Sequence, residues 1–227
     1  MSDLEHDPGR QQIIEVLQRH EVQFIVIGGA ASQSRGWDGQ TADVDVTPSR
    51  AMDNLTRLAA ALTELDACFR VDEERYPHGF PPPGGLDAYS FRSQVSVALT
   101  TEHGHLDVCL IPDGFPGGYE DLLPRAEVVP VAQTTRSANV ADAGDILLSK
   151  ETADRQKDRD MLPALRAAFE KAGTLKPRPG PAVIAARDIA AARQPLPPRP
   201  GSGPTAPSPC PGTPGPQAAR RDHDVDR

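Results

Sequence analysis

The chain has 227 residues, with 24 Lys/Arg against 32 Asp/Glu and a formal net charge of −8. The imbalance excludes a nucleic-acid binder that works through a broad basic surface. Three widely spaced cysteines, Cys68, Cys109 and Cys210, without a Cys-x-x-Cys pair, suggest neither a disulfide framework nor a zinc site, so reduced thiols are the simplest expectation. The first residues lack the basic and apolar regions of a secretory leader, and no apolar run is long enough for a membrane span. A soluble, cytoplasmic protein is expected.

Composition changes near residue 175. From Lys176 to Arg227 there are 13 of the 24 prolines, with 8 Lys/Arg against 4 Asp/Glu, leaving 16 against 28 in the rest of the chain. Such a stretch buries too little apolar surface to offset its ordering entropy. The expectation is therefore a folded domain over 10–174 and a Pro/Gly-rich, disordered tail over 175–227.

In chain order, Ile13, Ile14 and Leu17 lie at helical spacing within 10–20. Residues 22–27 read as a buried strand ended by Gly28-Gly29, with the small residues of 30–34 opening a closely packed helix. Thr41 to Val46 is the next strand, closed by Pro48. Leu55, Leu58, Leu62 and Leu65 mark a helix over 50–65 with Ser49 as its N-cap.

Prolines 77 and 81–83 with Gly84-Gly85 make 66–85 a long loop of the kind that shapes an entrance. Residues 89–100 read as a strand, and after Gly104 so do 105–111. A short helical turn over 119–125 and an edge strand over 127–131 follow. The segment from Asn139 leads into a helix over 142–155 and another over 156–172, whose buried stripe is Leu162, Leu165 and Phe169. This order implies an α+β or α/β domain around a small mixed sheet.

Alternation along the strands brings carboxylates together. Asp43 and Asp45 share one face of their strand, about 7 Å apart, with Val44 and Val46 on the other. Asp107 and Cys109 oppose Leu106, Val108 and Leu110 in the same way, offering a third carboxylate. Ionised carboxylates this close call for a cation, so a divalent metal is the first expectation. A lone Gly-Gly turn or a lone Asp-x-Asp is a weak signal, and the combination is what points to a metal-bound nucleotide. Trp37, His103 and His105 are read as packing or surface residues, and Cys109 as a small filler rather than a nucleophile.

Four segments carry a family resemblance: Gly28-Gly29-Ala30-Ala31, Thr41-Ala42-Asp43-Val44-Asp45-Val46, His105-Leu106-Asp107-Val108, and the run from Lys150 to Asp160. The chain resembles the nucleotidyltransferase superfold related to polymerase β, and within it the small bacterial proteins that include the AbiEii and MenT toxins. The resemblance implies that Asp43, Asp45 and Asp107 bind magnesium, one ion or two, and that Asp107 takes a proton from the attacking hydroxyl. It implies that Gly28, Gly29, Ser32, Thr41 and Lys150 hold the nucleoside triphosphate. Asp158 would orient Lys150, although an ordinary ion-pair network with Arg155, Lys157, Arg159 and Asp160 explains the same residues.

Two positions depart from the pattern. Gly29 stands where many relatives carry serine, and Ala42 where relatives often carry a basic residue. The implied reaction moves a nucleoside monophosphate from a triphosphate to an acceptor hydroxyl, either at the 3′ end of tRNA, with an antitoxin as partner, or on a small molecule of aminoglycoside type. A catalytically silent nucleotide-binding module is the alternative from another class.

Overall fold

In the computed structural model, residues 7–71, 74–131 and 136–176 are described. Among the described residues, seven strands form one mixed sheet. In chain order they are β1 (Phe24–Ile27), β2 (Asp43–Pro48), β3 (Cys68–Phe69), β4 (Ser96–Thr101), β5 (Gly104–Cys109), β6 (Glu127–Pro130) and β7 (Ser137–Val140). Their order across the sheet is β3-β4-β5-β2-β1-β7-β6. The β2–β5 and β1–β7 pairs are parallel and the other four antiparallel. The α+β class is therefore as expected, and β6 lies at an edge as expected.

The helices are α1 (Pro8–Arg19), α2 (Gly28–Ser34), α3 (Met52–Glu64), α4 (Ala88–Arg92), α5 (Tyr119–Leu122), α6 (Ala143–Ala153) and α7 (Gln156–Ala172). Asp7 caps α1 by accepting from the N–H groups of Gly9 and Arg10. Its apolar positions Ile13, Ile14 and Leu17 are buried, as are all four leucines of the α3 stripe. Ile14 and Val44 line one small cavity and α1 packs against β2 and β5, so α1 covers the sheet face that carries the valines of β2. The opposite face, carrying the aspartates, is left to the cleft described below. In α7, Leu165 and Phe169 are fully buried and Leu162 partly so.

Local chemistry redraws several elements. Residues 89–100 are not one strand: Asp87 accepts from the N–H and hydroxyl of Ser90, starting α4 before β4 begins at Ser96. The loop over 66–85 contains β3, and Phe69 also bridges to Phe80. The lead-in to α6 is β7, running beside β1, and Asp142 then caps α6 by accepting from Gly144 N–H. Ser49 does not cap α3; the N-cap is Ala51, which has no side-chain cap bond.

Cys68 is disulfide-bonded, which corrects the expectation that all thiols are reduced, while Cys109 is free. The expected tail falls outside the described residues from position 177 onward. No described helix is long and apolar enough to cross a membrane.

Candidate active site

A cleft of about 380 Å³ opens over the centre of the sheet. Its floor is the carboxylate row. In the parallel β2–β5 ladder, Asp45 is the register partner of Asp107 and Asp43 that of His105. On the far side of β2, Asp45 is opposite Ile27, the last residue of β1. Asp43, Asp45 and Asp107 thus converge on one face, as their alternation predicts, and all three line the cleft.

The Gly-Gly turn is shaped by this row. Gly28 has φ +63°, and a Cβ placed on it would lie 2.1 Å from Oδ2 of Asp45. Only glycine fits both the left-handed backbone and the close approach. The N–H of Gly29 donates to Asp45. A Cβ on Gly29 would lie 2.4 Å from Oγ1 of Thr41. The Thr41 side chain therefore occupies the space into which a serine at position 29 would extend, and Thr41 lines the cleft.

Burial and then the Asp107 charge raise Asp45 from 3.8 to about 6, against the Gly29 hydrogen bond. Burial also raises Asp107, against the neighbouring Arg70 guanidinium. Arg70 directly follows β3. Its Nη2 is 2.6 Å from Oδ1 of Asp107 and its Nη1 is 3.2 Å from Oδ2 of Asp43.

The opposite wall comes from α6 and α7. Lys150 Nζ lies 3.2 Å from Oδ1 of Asp158, and Arg155 Nε lies 2.8 Å from Oδ2 of the same carboxylate. Asp158 is 1% exposed. Burial alone would raise its carboxyl, but Lys150 and Arg155 hold it below the usual carboxylate range. The α6–α7 bend turns at Asp154, in left-handed conformation with φ 47°. That turn brings the Lys150 ammonium and the Asp158 carboxylate together at the cleft wall, where both line it.

Of the expected site residues, Asp43, Asp45, Asp107, Gly28, Gly29, Thr41, Lys150 and Asp158 all line this one cleft. Ser32 is not brought to it. It is fully buried, and its hydroxyl donates to Gly28 O at 2.8 Å. Trp37 lines the cleft and packs on the core. Cys109 is pushed up to about 11, chiefly by burial, which suits a filler and not a nucleophile.

Asp113, which also lines the cleft, was not anticipated, and two further residues of the site were missed as well. One is Arg70, in the segment with the weakest sequence pattern. The other is Asp145, 2% exposed in the first turn of α6, lining the cleft with its Oδ2 3.5 Å from Arg125 Nε. Its signal in the sequence is an acidic residue three positions after the Asp142 cap, which is also what an ordinary helix N-terminus looks like.

The fit of the carboxylate row to a divalent ion can be judged from its chemistry. Among the described residues no group of three or more His, Cys, Asp or Glu is arranged to hold a metal as it stands. Arg70 instead spans Asp43 and Asp107. The donors are all carboxylate oxygens, which suit a hard cation such as magnesium. Asp45 is a half-buried carboxylate raised first by burial and then by the Asp107 charge, and a bound cation relieves the second of these. The residues fit the ion once the guanidinium gives way.

No family model and no curated protein matches the chain. Among solved structures it is similar to the lincosamide antibiotic adenylyltransferase LnuA, solved with lincomycin bound. Identity is 13% and the TM-score 0.49, over 74% of this chain and 99% of that one. It is also similar to the antibiotic-resistance factor ANT(2'')-Ia, at 12% identity and TM-score 0.42, over 73% of this chain and 85% of that one.

Proposed function

We propose that the chain is a magnesium-dependent nucleotidyltransferase, which moves a nucleoside monophosphate from a triphosphate to an acceptor hydroxyl. The observation that carries this reading is the side-by-side placement of Asp45 and Asp107 on the cleft floor, with Asp43 two residues along and Lys150 lining the same cleft. Asp43, Asp45 and Asp107 would hold the metal, which when bound supplies charge neutralisation and orientation for the triphosphate.

The chain's own residues have separate tasks in this scheme. Lys150, anchored by Asp158, would donate its remaining N–H groups to phosphate oxygens as a point charge. Thr41 would offer the hydroxyl that a serine at position 29 offers in relatives. Asp107, raised by burial, would accept the proton as the acceptor oxygen bonds to the α-phosphorus. The bond from that phosphorus to the bridging oxygen breaks, and pyrophosphate leaves.

Charge bears on the acceptor class as well. With Asp43, Asp45 and Asp107 assigned to the metal, Asp113, Asp145 and Asp158 remain on the lining against Lys150, Arg155 and Lys157. The triphosphate already draws on these cations, so a small hydroxylated molecule, which adds no further phosphates, suits the remaining lining better than the polyanionic end of an RNA. The toxin role and an antitoxin partner rest on the motif resemblance alone.

Incubation with labelled triphosphates, magnesium and either cellular RNA or a panel of cationic hydroxylated compounds tests the proposal. Transfer by the wild type and none by Asp43→Ala is the expected result. Equal transfer by both proteins, or binding of the triphosphate without turnover, would overturn it, the latter in favour of a silent binding module. Transfer to RNA and not to the compounds would reverse the assignment of acceptor.

A further inference from the structure

Arg70 stands at one end of a continuous row of residues that crosses the sheet. Its backbone N–H donates to Ala98 O at 2.9 Å, which places it beside Ala98 of β4. Ala98 is the register partner of Asp107 on β5, and Asp107 that of Asp45 on β2. The order across the sheet is therefore Arg70, Ala98, Asp107, Asp45. Neighbouring strands lie about 4.8 Å apart, so the Arg70 backbone is two strand spacings, on the order of 10 Å, from that of Asp107.

A guanidinium covers that span only by lying across the intervening residue, and the residue there is an alanine. The Arg70 side chain is 18% exposed, against 32% for Asp43 and 26% for Asp107. It is well enough shielded from water for the two contacts to matter, and its planar fork matches two carboxylates at once.

We propose that Arg70 is the counter-cation of the metal-free carboxylate row, seated by the small side chain of Ala98, and that a divalent ion must displace it to bind. The inference rests on the nucleotidyltransferase reading, since it concerns the same carboxylates. It adds a positioning residue that the sequence motifs do not contain. Arg70 holds Asp43 and Asp107 in place before loading, and its departure is part of the free energy of metal binding. By linkage, the ion weakens the Arg70 contacts to the same degree that those contacts weaken the ion.

The probe is Mn2+ alone, without nucleotide, titrated into the full chain and followed by electron paramagnetic resonance of the free ion. Arg70→Ala and Arg70→Gln should bind it more tightly than the wild type, by a factor on the order of ten. Ala98→Leu, which keeps the arginine but blocks its path, should shift binding in the same direction. It also keeps the question answerable if the Arg70 variants fold poorly. Asp45→Asn should weaken binding in every background.

Unchanged Mn2+ affinity in the Arg70 and Ala98 variants, with weakened binding in Asp45→Asn, would overturn the role of Arg70 and leave the metal site standing. If Asp45→Asn leaves Mn2+ binding as it is in the wild type, the metal-site reading fails, and this inference fails with it.

Discussion

Asp45 and Asp107 are direct partners across the parallel ladder of β2 and β5, so two half-buried carboxyls share one place in the sheet. This raises Asp45 to about 6, with burial as the larger cause and Asp107 the next. A carboxyl raised above its unfolded value of 3.8 stabilises the fold at low pH, where it is protonated in both states. That contribution is lost as pH rises through the folded value. In chelator and without nucleotide, stability should fall between about pH 4 and pH 6, by on the order of 3 kcal/mol from this group. Urea denaturation across that range checks it, and Asp45→Asn should flatten the profile and be the more stable protein at pH 7.

Position 29 departs from the resembled pattern because Thr41 already fills the space a side chain there would need. Gly29→Ser alone should therefore lower transfer and stability, as overpacking commonly costs about 1–3 kcal/mol. Thr41→Ala in addition should recover much of both. Transfer rates and melting temperatures of the two single variants and the double variant form the cycle that measures the coupling.

Gly28→Ala meets two obstacles, φ +63° and a Cβ contact of 2.1 Å with the Asp45 carboxylate. A left-handed alanine alone costs about 1–2 kcal/mol, and the contact displaces Asp45. The expected result is a clear fall in melting temperature together with loss of transfer.

Asp158 is buried and accepts from both Lys150 and Arg155. Asp158→Ala leaves the Lys150 ammonium, 18% exposed, without this partner, and a loss of about 3 kcal/mol is expected from the cost of breaking such pairs. Because the lysine also loses its anchor, KM for the triphosphate should rise in protein that is still folded at the assay temperature. Steady-state kinetics on Asp158→Asn, which keeps the shape, separates the second effect from the first.

Arg35 is 4% exposed and donates to Ala141 O, Val140 O and Glu127 Oε2, tying the end of α2 to β7 and β6. Arg35→Ala should cost on the order of 3 kcal/mol, since it strands buried acceptors and leaves Glu127 without this cation. Denaturant midpoints measure the loss.

The central part of the molecule is legible in the sequence because β1, β2 and β5 each carry a strict apolar face. The aspartates are legible because alternation fixes which side they take. Lys150 and Asp158 lie eight residues apart on consecutive helices, within reach of a motif. Arg70 is legible in none of these ways: its partners are 27 and 37 residues distant, and β3 is only Cys68–Phe69, too short to show a period. For β7 the obstacle is length, since Ser137 and Asn139 do alternate with Ala138 and Val140 but four residues are too few to show a period. The helix α4 follows from one side chain, Asp87, capturing Ser90.

The sheet order also ranks its parts by how readily they open. β2 and β5 each have paired strands on both sides, so their amides should be among the last to exchange with deuterium. β3 has only two residues, held by β4 on one side and by the single Phe69–Phe80 bridge on the other, and should exchange earlier than they do. The fixed charges of the cleft thus sit on the slowest-opening part of the chain, and the arginine that neutralises them follows a shorter, less paired strand. Arg70 can be released by fraying of that strand while the aspartates keep their places.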